Sequence, residues 1–206
     1  MTTPQIIFVI VSSVIFVFIV GLLLYKPVCR YIYRKNFSNI YGKTLYQVAL
    51  DFDFYIINDL VLALDNENVM HIDHILFGDK YIYVIKDKYY DGLIEATEDD
   101  NSWIFTSRKD KKKIYVDNPL KNNILRTNKL ALISGFDRSL FISIVVINDG
   151  CLASSFAGKS KVSFLVTKGK VKKLIKALES RNISKMKENQ LKFAVKDIAK
   201  LNLKKK

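Results

Sequence analysis

The sequence predicts a mixed α/β domain, a central sheet flanked by helices, preceded by one N-terminal transmembrane helix. Three observations carry this expectation. An uncharged apolar run, IIFVIVSSVIFVFIVGLLLY, fills residues 6–25, long enough as a helix to cross the hydrocarbon core of a bilayer. Short runs rich in β-branched and aromatic residues then alternate with turn residues, the pattern of strands. Helical stretches with good caps interrupt and follow those strands, so the sheet needs helices packed on it. A chain of 206 residues, half of them hydrophobic, holds one domain of ordinary size plus an accessory segment.

The apolar run leads into a basic juxtamembrane linker, residues 26–39, where Lys26, Arg30, Arg34 and Lys35 are interleaved with tyrosines. Such clusters ordinarily meet anionic headgroups. No Lys or Arg precedes the run, so the charge rule predicts a single-pass protein of the cell membrane with its N-terminus outside and its C-terminal domain cytoplasmic. A cleaved signal peptide would show a basic start, a shorter apolar stretch and a small-residue cleavage site, which MTTPQ and LLLYKP do not offer. The formal net charge of +13 favours polyanionic partners, either nucleic acid or an anionic membrane face. Cys29 and Cys151 stand far apart without a CxxC or Cys/His cluster, which argues against a disulfide framework and a structural zinc site. Richness in Lys, Asn, Ile and Tyr suggests an AT-rich bacterial genome.

Leu45, Val48 and Ala49 recur at about one-turn spacing, so residues 40–51 predict a helix leading into the first strand. Residues 55–64 read as a strand with a bend or bulge at Asn58-Asp59, and Asp65-Asn66-Glu67-Asn68 as a turn. Residues 69–77 and 81–89 predict antiparallel neighbours joined by Gly78-Asp79-Lys80. Short strands follow at 93–96, 103–107 and 114–116, with a basic loop at 108–113. Pro119 suits a first helical turn, and Leu120, Ile124, Leu125, Ala131 and Leu132 continue an apolar face that ends at Gly135. FISIVVI, residues 141–147, reads as a central strand buried on both faces, with a further strand at 162–167. Val171, Leu174, Ile175 and Leu178 mark the next helix, and Leu191, Val195, Ile198 and Leu201 another. Residues 168–206 are therefore lysine-rich C-terminal helices with a solvated cationic face.

Alternation along a strand puts Lys86 and Lys88 on one face and Asp87 on the other. Asp73 shares its face with His71 and Ile75, and the hairpin brings that face beside the two lysines. A carboxylate on one strand with a charged pair spaced i, i+2 on the next is the layout of a metal-dependent phosphodiesterase. There, two carboxylates hold Mg²⁺, which activates water and stabilises the pentavalent phosphate, while a lysine orients the attacking water. His71 and His74 face opposite sides of their strand and do not converge on one ion. Trp103 and the tyrosines read as sheet-packing residues rather than base-stacking ones.

The segments HIDHILFGDKYIYVIKDKYYDG, DDNSWIF and IYVDNPLKNN, in that order, resemble NERD, the nuclease-related domain, a branch of the PD-(D/E)XK or restriction-endonuclease-like nucleases. The resemblance runs roughly from Gly42 to Ile147 and implies a restriction-endonuclease-like fold within a domain spanning 40–167. It implies that Asp73 is the catalytic and metal-holding aspartate and Lys88 the motif lysine. The amide that follows the Asn-Pro motif falls on Asn122, read together with Asn123 as substrate-binding. Two departures stand out. The motif glutamate falls on Lys86, and GKTLYQVA, residues 42–49, supplies no upstream glutamate.

At about 4 Å and intermediate dielectric, an ammonium in place of a carboxylate repels a cation by about 4 kcal/mol per unit charge. Ordinary Mg²⁺ binding should then be lost. The leading expectation is a membrane-anchored, nucleic-acid-binding protein with a degenerate nuclease site, its lysines holding phosphate. One alternative is an active Mg²⁺-dependent nuclease using Asp73, Asp87 and Lys88, which needs a one-residue slip or bulge to turn Asp87 toward the site. Another is a membrane-tethered scaffold for anionic lipid or a protein partner. Asp73 with its lysines can also be a plain internal ion pair.

Overall fold

An uninterrupted apolar sequence has no reason to leave the helix it starts, and the computed structural model carries helix α1 from Thr3 to Phe52. Residues 3–64, 68–156 and 158–203 are described. Two units are distinguished, one ending at Ile40 and one running from Tyr41 onward. In the first, apolar side chains from Ile10 to Leu24 lie open apart from half-buried Val20, and the helix is long and apolar enough to cross a membrane. The stretch 26–39 is itself helical, with Pro27 accommodated and a single non-helical residue at Asn36.

The second unit opens with the last turns of α1, where Tyr41, Leu45, Val48 and Ala49 are buried. Five strands follow in sheet order β1 (Tyr55–Ala63), β2 (Val69–Phe77), β3 (Ile82–Lys88), β7 (Phe141–Ile147) and β8 (Ser163–Thr167). The first three pair antiparallel, whereas β3–β7 and β7–β8 are parallel. Every residue of β7 is buried, as its unbroken apolar run requires. At the interruption expected in β1, Asp59 takes a positive φ of 54°, yet Asn58 pairs with His74 and Leu60 with Ile72. The strands stay in step, so the feature is a bend and not a bulge. Of the turn expected after β1, residues 65–67 lie outside the described residues, as do the three terminal lysines.

Between β3 and β7 a second antiparallel sheet forms from β4 (Gly92–Glu95), β5 (Ser102–Ser107) and β6 (Lys113–Asp117). Its inner residues Ile94, Trp103 and Val116 pack with Val145 and Ile147 of β7 and with Leu120 of α2 (Pro119–Ser134). Helix α2 is well delimited. Asn118 caps it by accepting from the Leu120 N–H, Pro119 starts it, and Gly135 ends it at φ 71°, a backbone setting glycine adopts without strain.

Parallel pairing places Val84, Lys86 and Lys88 on the same face as Ser143, Val145 and Ile147. The small sheet and α2 cover that face, called here the α2 face. Tyr83, Ile85 and Asp87 point to the other, the α1 face. There Tyr83 donates to Glu179 of α3 (Val171–Glu179), and α1 is tied to α3 by Lys172 and Asp51, 2.7 Å apart. The final helix α4 (Glu188–Lys200) lays Ala194 and Ile198 against Leu60 and Leu62 of β1, and Asn202 beyond it accepts from the Val61 N–H.

Candidate functional site

The β2–β3 hairpin sets the site. Its connection closes with the Gly78 N–H donating to Tyr81 O, and the ladder runs Phe77 to Ile82, Ile75 to Val84 and His74 to Ile85. One more step puts Asp73 opposite Lys86. Their side chains meet there, Lys86 Nζ 2.7 Å from Asp73 Oδ1, with a fifth of each open to solvent. The other oxygen of Asp73 accepts from the backbone N–H of Asp87 at 2.9 Å. Both oxygens of the expected metal ligand are thus already engaged.

Lys88, at the end of β3, forms no ion pair or hydrogen bond through its ammonium among the described residues. The residue reaches solvent, yet partial desolvation first, then the charges of Lys86 and Arg126, hold its pKa below the ordinary lysine value. Asp73 and Asp117 oppose them more weakly. Lys88 is thus within electrostatic reach of Arg126 on α2 and of Asp117 at the end of β6. Arg126, one turn along α2 from Asn122, is also without an ion pair among the described residues. Sequence reasoning passed over Arg126, although its i+4 spacing from Asn122 placed the two on one helix face.

Asn122 is exposed in the first turns of α2, free to meet a ligand. Asn123 requires a correction. Only 1% exposed, its amide nitrogen is shared among Val84 O, Ser143 Oγ and Ile144 O. It fastens α2 to the two central strands and is not available to substrate.

Asp87 requires another. Strands β3 and β7 pair residue for residue from Ile82–Phe141 to Lys88–Ile147, without a bulge. The slip needed to bring its carboxylate beside Asp73 is absent from this ladder, because β3 is held by a partner on each side. On the α1 face Asp87 Oδ2 lies 2.8 Å from His74 Nε2, and His74 Nδ1 lies 2.7 Å from Asn58 Oδ1. Asp87 and His74 have side chains only 1% and 6% exposed. Burial pushes the Asp87 carboxyl above its ordinary pKa, with the His74 bond opposing, and its Oδ1 has no hydrogen-bond partner among the described residues. A buried orphan of this kind costs about 1–3 kcal/mol.

Sequence reasoning missed this pairing, though it was countable: with His74 opposite Ile85, the same-face diagonal neighbour is Asp87. Gly42 packs so closely that a Cβ would sit 3.4 Å from His74 Cε1, and Tyr41 donates to Lys88 O.

The donor set does not fit Mg²⁺. The ion asks for several oxygen ligands in near-octahedral order. Here one carboxylate, engaged at both oxygens, faces an ammonium, and no group of three or more potential His, Cys, Asp or Glu ligands gathers among the described residues. What the arrangement offers instead is an ion pair that solvent reaches and, within its electrostatic reach, two cations without ion pairs among the described residues.

No curated protein and no solved structure matches the chain. The family model of the nuclease-related domain matches residues 40–148. That span runs from the last turns of α1 through β7 and contains Asp73, Lys86, Lys88 and Arg126. With more than half its length matched, the chain belongs to the NERD family, the nuclease-related domain of the restriction-endonuclease-like superfamily.

Proposed function

We propose that this chain is a membrane-anchored nucleic-acid-binding protein whose nuclease-type site grips phosphate with cations in place of metal-assisted hydrolysis. The observation that carries this reading is the exchange at Lys86: an ammonium stands in the position of the second carboxylate and pairs with Asp73. Lys88 and Arg126 remain without ion pairs among the described residues beside it. A phosphate diester entering there would meet two free positive charges and a third that can exchange Asp73 for the ligand. Charge-assisted bonds of this kind are the strong ones. The apolar helix supports anchoring, and the basic residues of 26–39 support a cytoplasmic domain.

The test uses the full chain in detergent micelles with labelled single- and double-stranded DNA and RNA, with Mg²⁺ or Mn²⁺ present. Binding without cleavage, weakening steeply with salt, is expected. Cleavage abolished by Asp73→Ala would overturn the degenerate site and restore the nuclease. Absence of any salt-dependent affinity would leave the scaffold for lipid or protein. Lys86→Glu replaces the repelling charge, so Mg²⁺ uptake by calorimetry should increase in that variant.

A further inference from the structure

The β5–β6 hairpin presents a surface that the central site does not use. Its tip reads RKDKKK from Arg108 to Lys113, five cations against one carboxylate. That carboxylate is committed to the turn: Asp110 accepts from the Lys112 N–H, and Lys111 takes a positive φ of 57°. Lys113 reaches Glu95 across the sheet at 3.4 Å, while Arg108, Lys109, Lys111 and Lys112 are exposed and without ion pairs among the described residues.

Register defines what lies beside this tip. Trp103 pairs with Val116 and Phe105 with Ile114, on the inner face. Ile104 pairs with Tyr115 and Thr106 with Lys113, so Tyr115 belongs to the outer face together with Leu93, the partner of Thr106. Tyr115 is 78% exposed on an edge strand, an expensive place to leave an aromatic ring uncovered. Asp117, two residues on and about 7 Å along the same face, is close enough to Lys88 to act on its charge. Along the outer face the cationic tip is thus followed by an open ring and then by Asp117.

We propose that this outer face binds single-stranded nucleic acid, with Arg108, Lys109, Lys111 and Lys112 on backbone phosphates and Tyr115 stacked on a base. The inference rests on the nucleic-acid reading of the central site and adds where the strand runs. An open ring beside a row of cations is the arrangement by which unpaired bases are held without sequence preference. A duplex offers phosphates to the tip but no base face to Tyr115. An anionic bilayer attracts the same lysines but offers no flat face to the Tyr115 ring set back on the sheet, which an unpaired base does.

The experiment measures fluorescence anisotropy of a labelled oligothymidine and of a duplex of equal length against the full chain in micelles, over a salt series. Tyr115→Ala should weaken single-strand binding about 10-fold, with duplex affinity and salt slope unchanged, and Tyr115→Phe should bind as the parent does. Neutralising Lys109, Lys111 and Lys112 to Ala together should reduce the salt slope by about 2. If the parent binds and these variants bind equally well while Lys88→Ala weakens, the surface is wrong and the central site stands. If the triple variant loses only anionic vesicles, the tip is a lipid contact and the inference falls. A parent that binds no oligonucleotide overturns both readings.

Discussion

On the α2 face of the β2–β3 hairpin, Asp73 and Lys86 meet at 2.7 Å with a fifth of each side chain open to water. On the α1 face, one residue along each strand, His74 and Asp87 meet at 2.8 Å with almost nothing exposed. The two pairs have the same length and very different surroundings. Water screens the first and can replace either partner, so a ligand can do the same at small cost. The second is enclosed beneath α1, has one oxygen unsatisfied, and cannot be approached without disturbing the packing of His74 against Gly42. One hairpin therefore carries an exchangeable pair and a fixed one, and only the exchangeable pair is suited to binding.

The strongest way to break this contrast is to remove Asp87. Asp87→Ala leaves His74 Nε2 buried without its hydrogen-bond partner and should cost about 1–3 kcal/mol of stability by chemical denaturation, as an unsatisfied buried polar group does. A cost below about 1 kcal/mol would mean that the pair is not fixed at all. Asp73→Ala, by comparison, should cost about 1 kcal/mol, since solvent takes over Lys86 and only the hydrogen bond from the Asp87 N–H is lost; it should leave phosphate binding intact or improved.

A second prediction addresses binding alone. Lys88→Ala should lower the slope of log affinity against log salt by about 0.7–0.9, one phosphate contact. Asp87→Asn should not move that slope. An equal effect from both would show that the faces are coupled.

Two pH profiles sharpen the same comparison with smaller effects. In the proposed binding mode Lys88 acts in its charged form, and its pKa is lowered, so affinity should decline at lower pH than an ordinary lysine would allow. Lys88→Arg, which keeps its charge, should remove that early decline. For Asp87 the pKa is raised above 3.8 in the folded chain. The unfolded chain therefore loses this proton first, and between the two values it binds fewer protons than the folded one. This group makes stability fall as pH rises through that window, with no contribution below it, where both states are protonated. Asp87→Asn should flatten that part of the profile; an unchanged slope would show that another group sets it.

Much of the strand and helix order was legible because it is local. FISIVVI could only be a buried strand, and Asn118-Pro119 with Gly135 marked both ends of α2 before any coordinates. The Asp73–Lys86 pairing was legible as well, since alternation and a short connection bring those residues to one face. Asn123 was not. As an amide beside a family motif it read as substrate-binding, and only the depth of α2 on β3 and β7 shows its nitrogen committed to Val84, Ser143 and Ile144. The division of the strands into two sheets also escaped the sequence, because it depends on which strand β7 chooses as neighbour across more than fifty residues. Trp103 was rightly read as packing, whereas Tyr115 belongs to the other face of its sheet and lies open.

The bond from Val61 to Asn202 bears on the order in which the chain is made. Strand β1 is an edge of the main sheet, and the outward N–H of Val61 on it is bound by Asn202, beyond α4. During synthesis that edge must wait, unpaired, until α4 has left the ribosome. An exposed edge is a template for another chain's strand. Truncation before Glu188 should therefore turn an orderly domain into one that recruits copies of itself, even though every residue of the proposed phosphate site is still present.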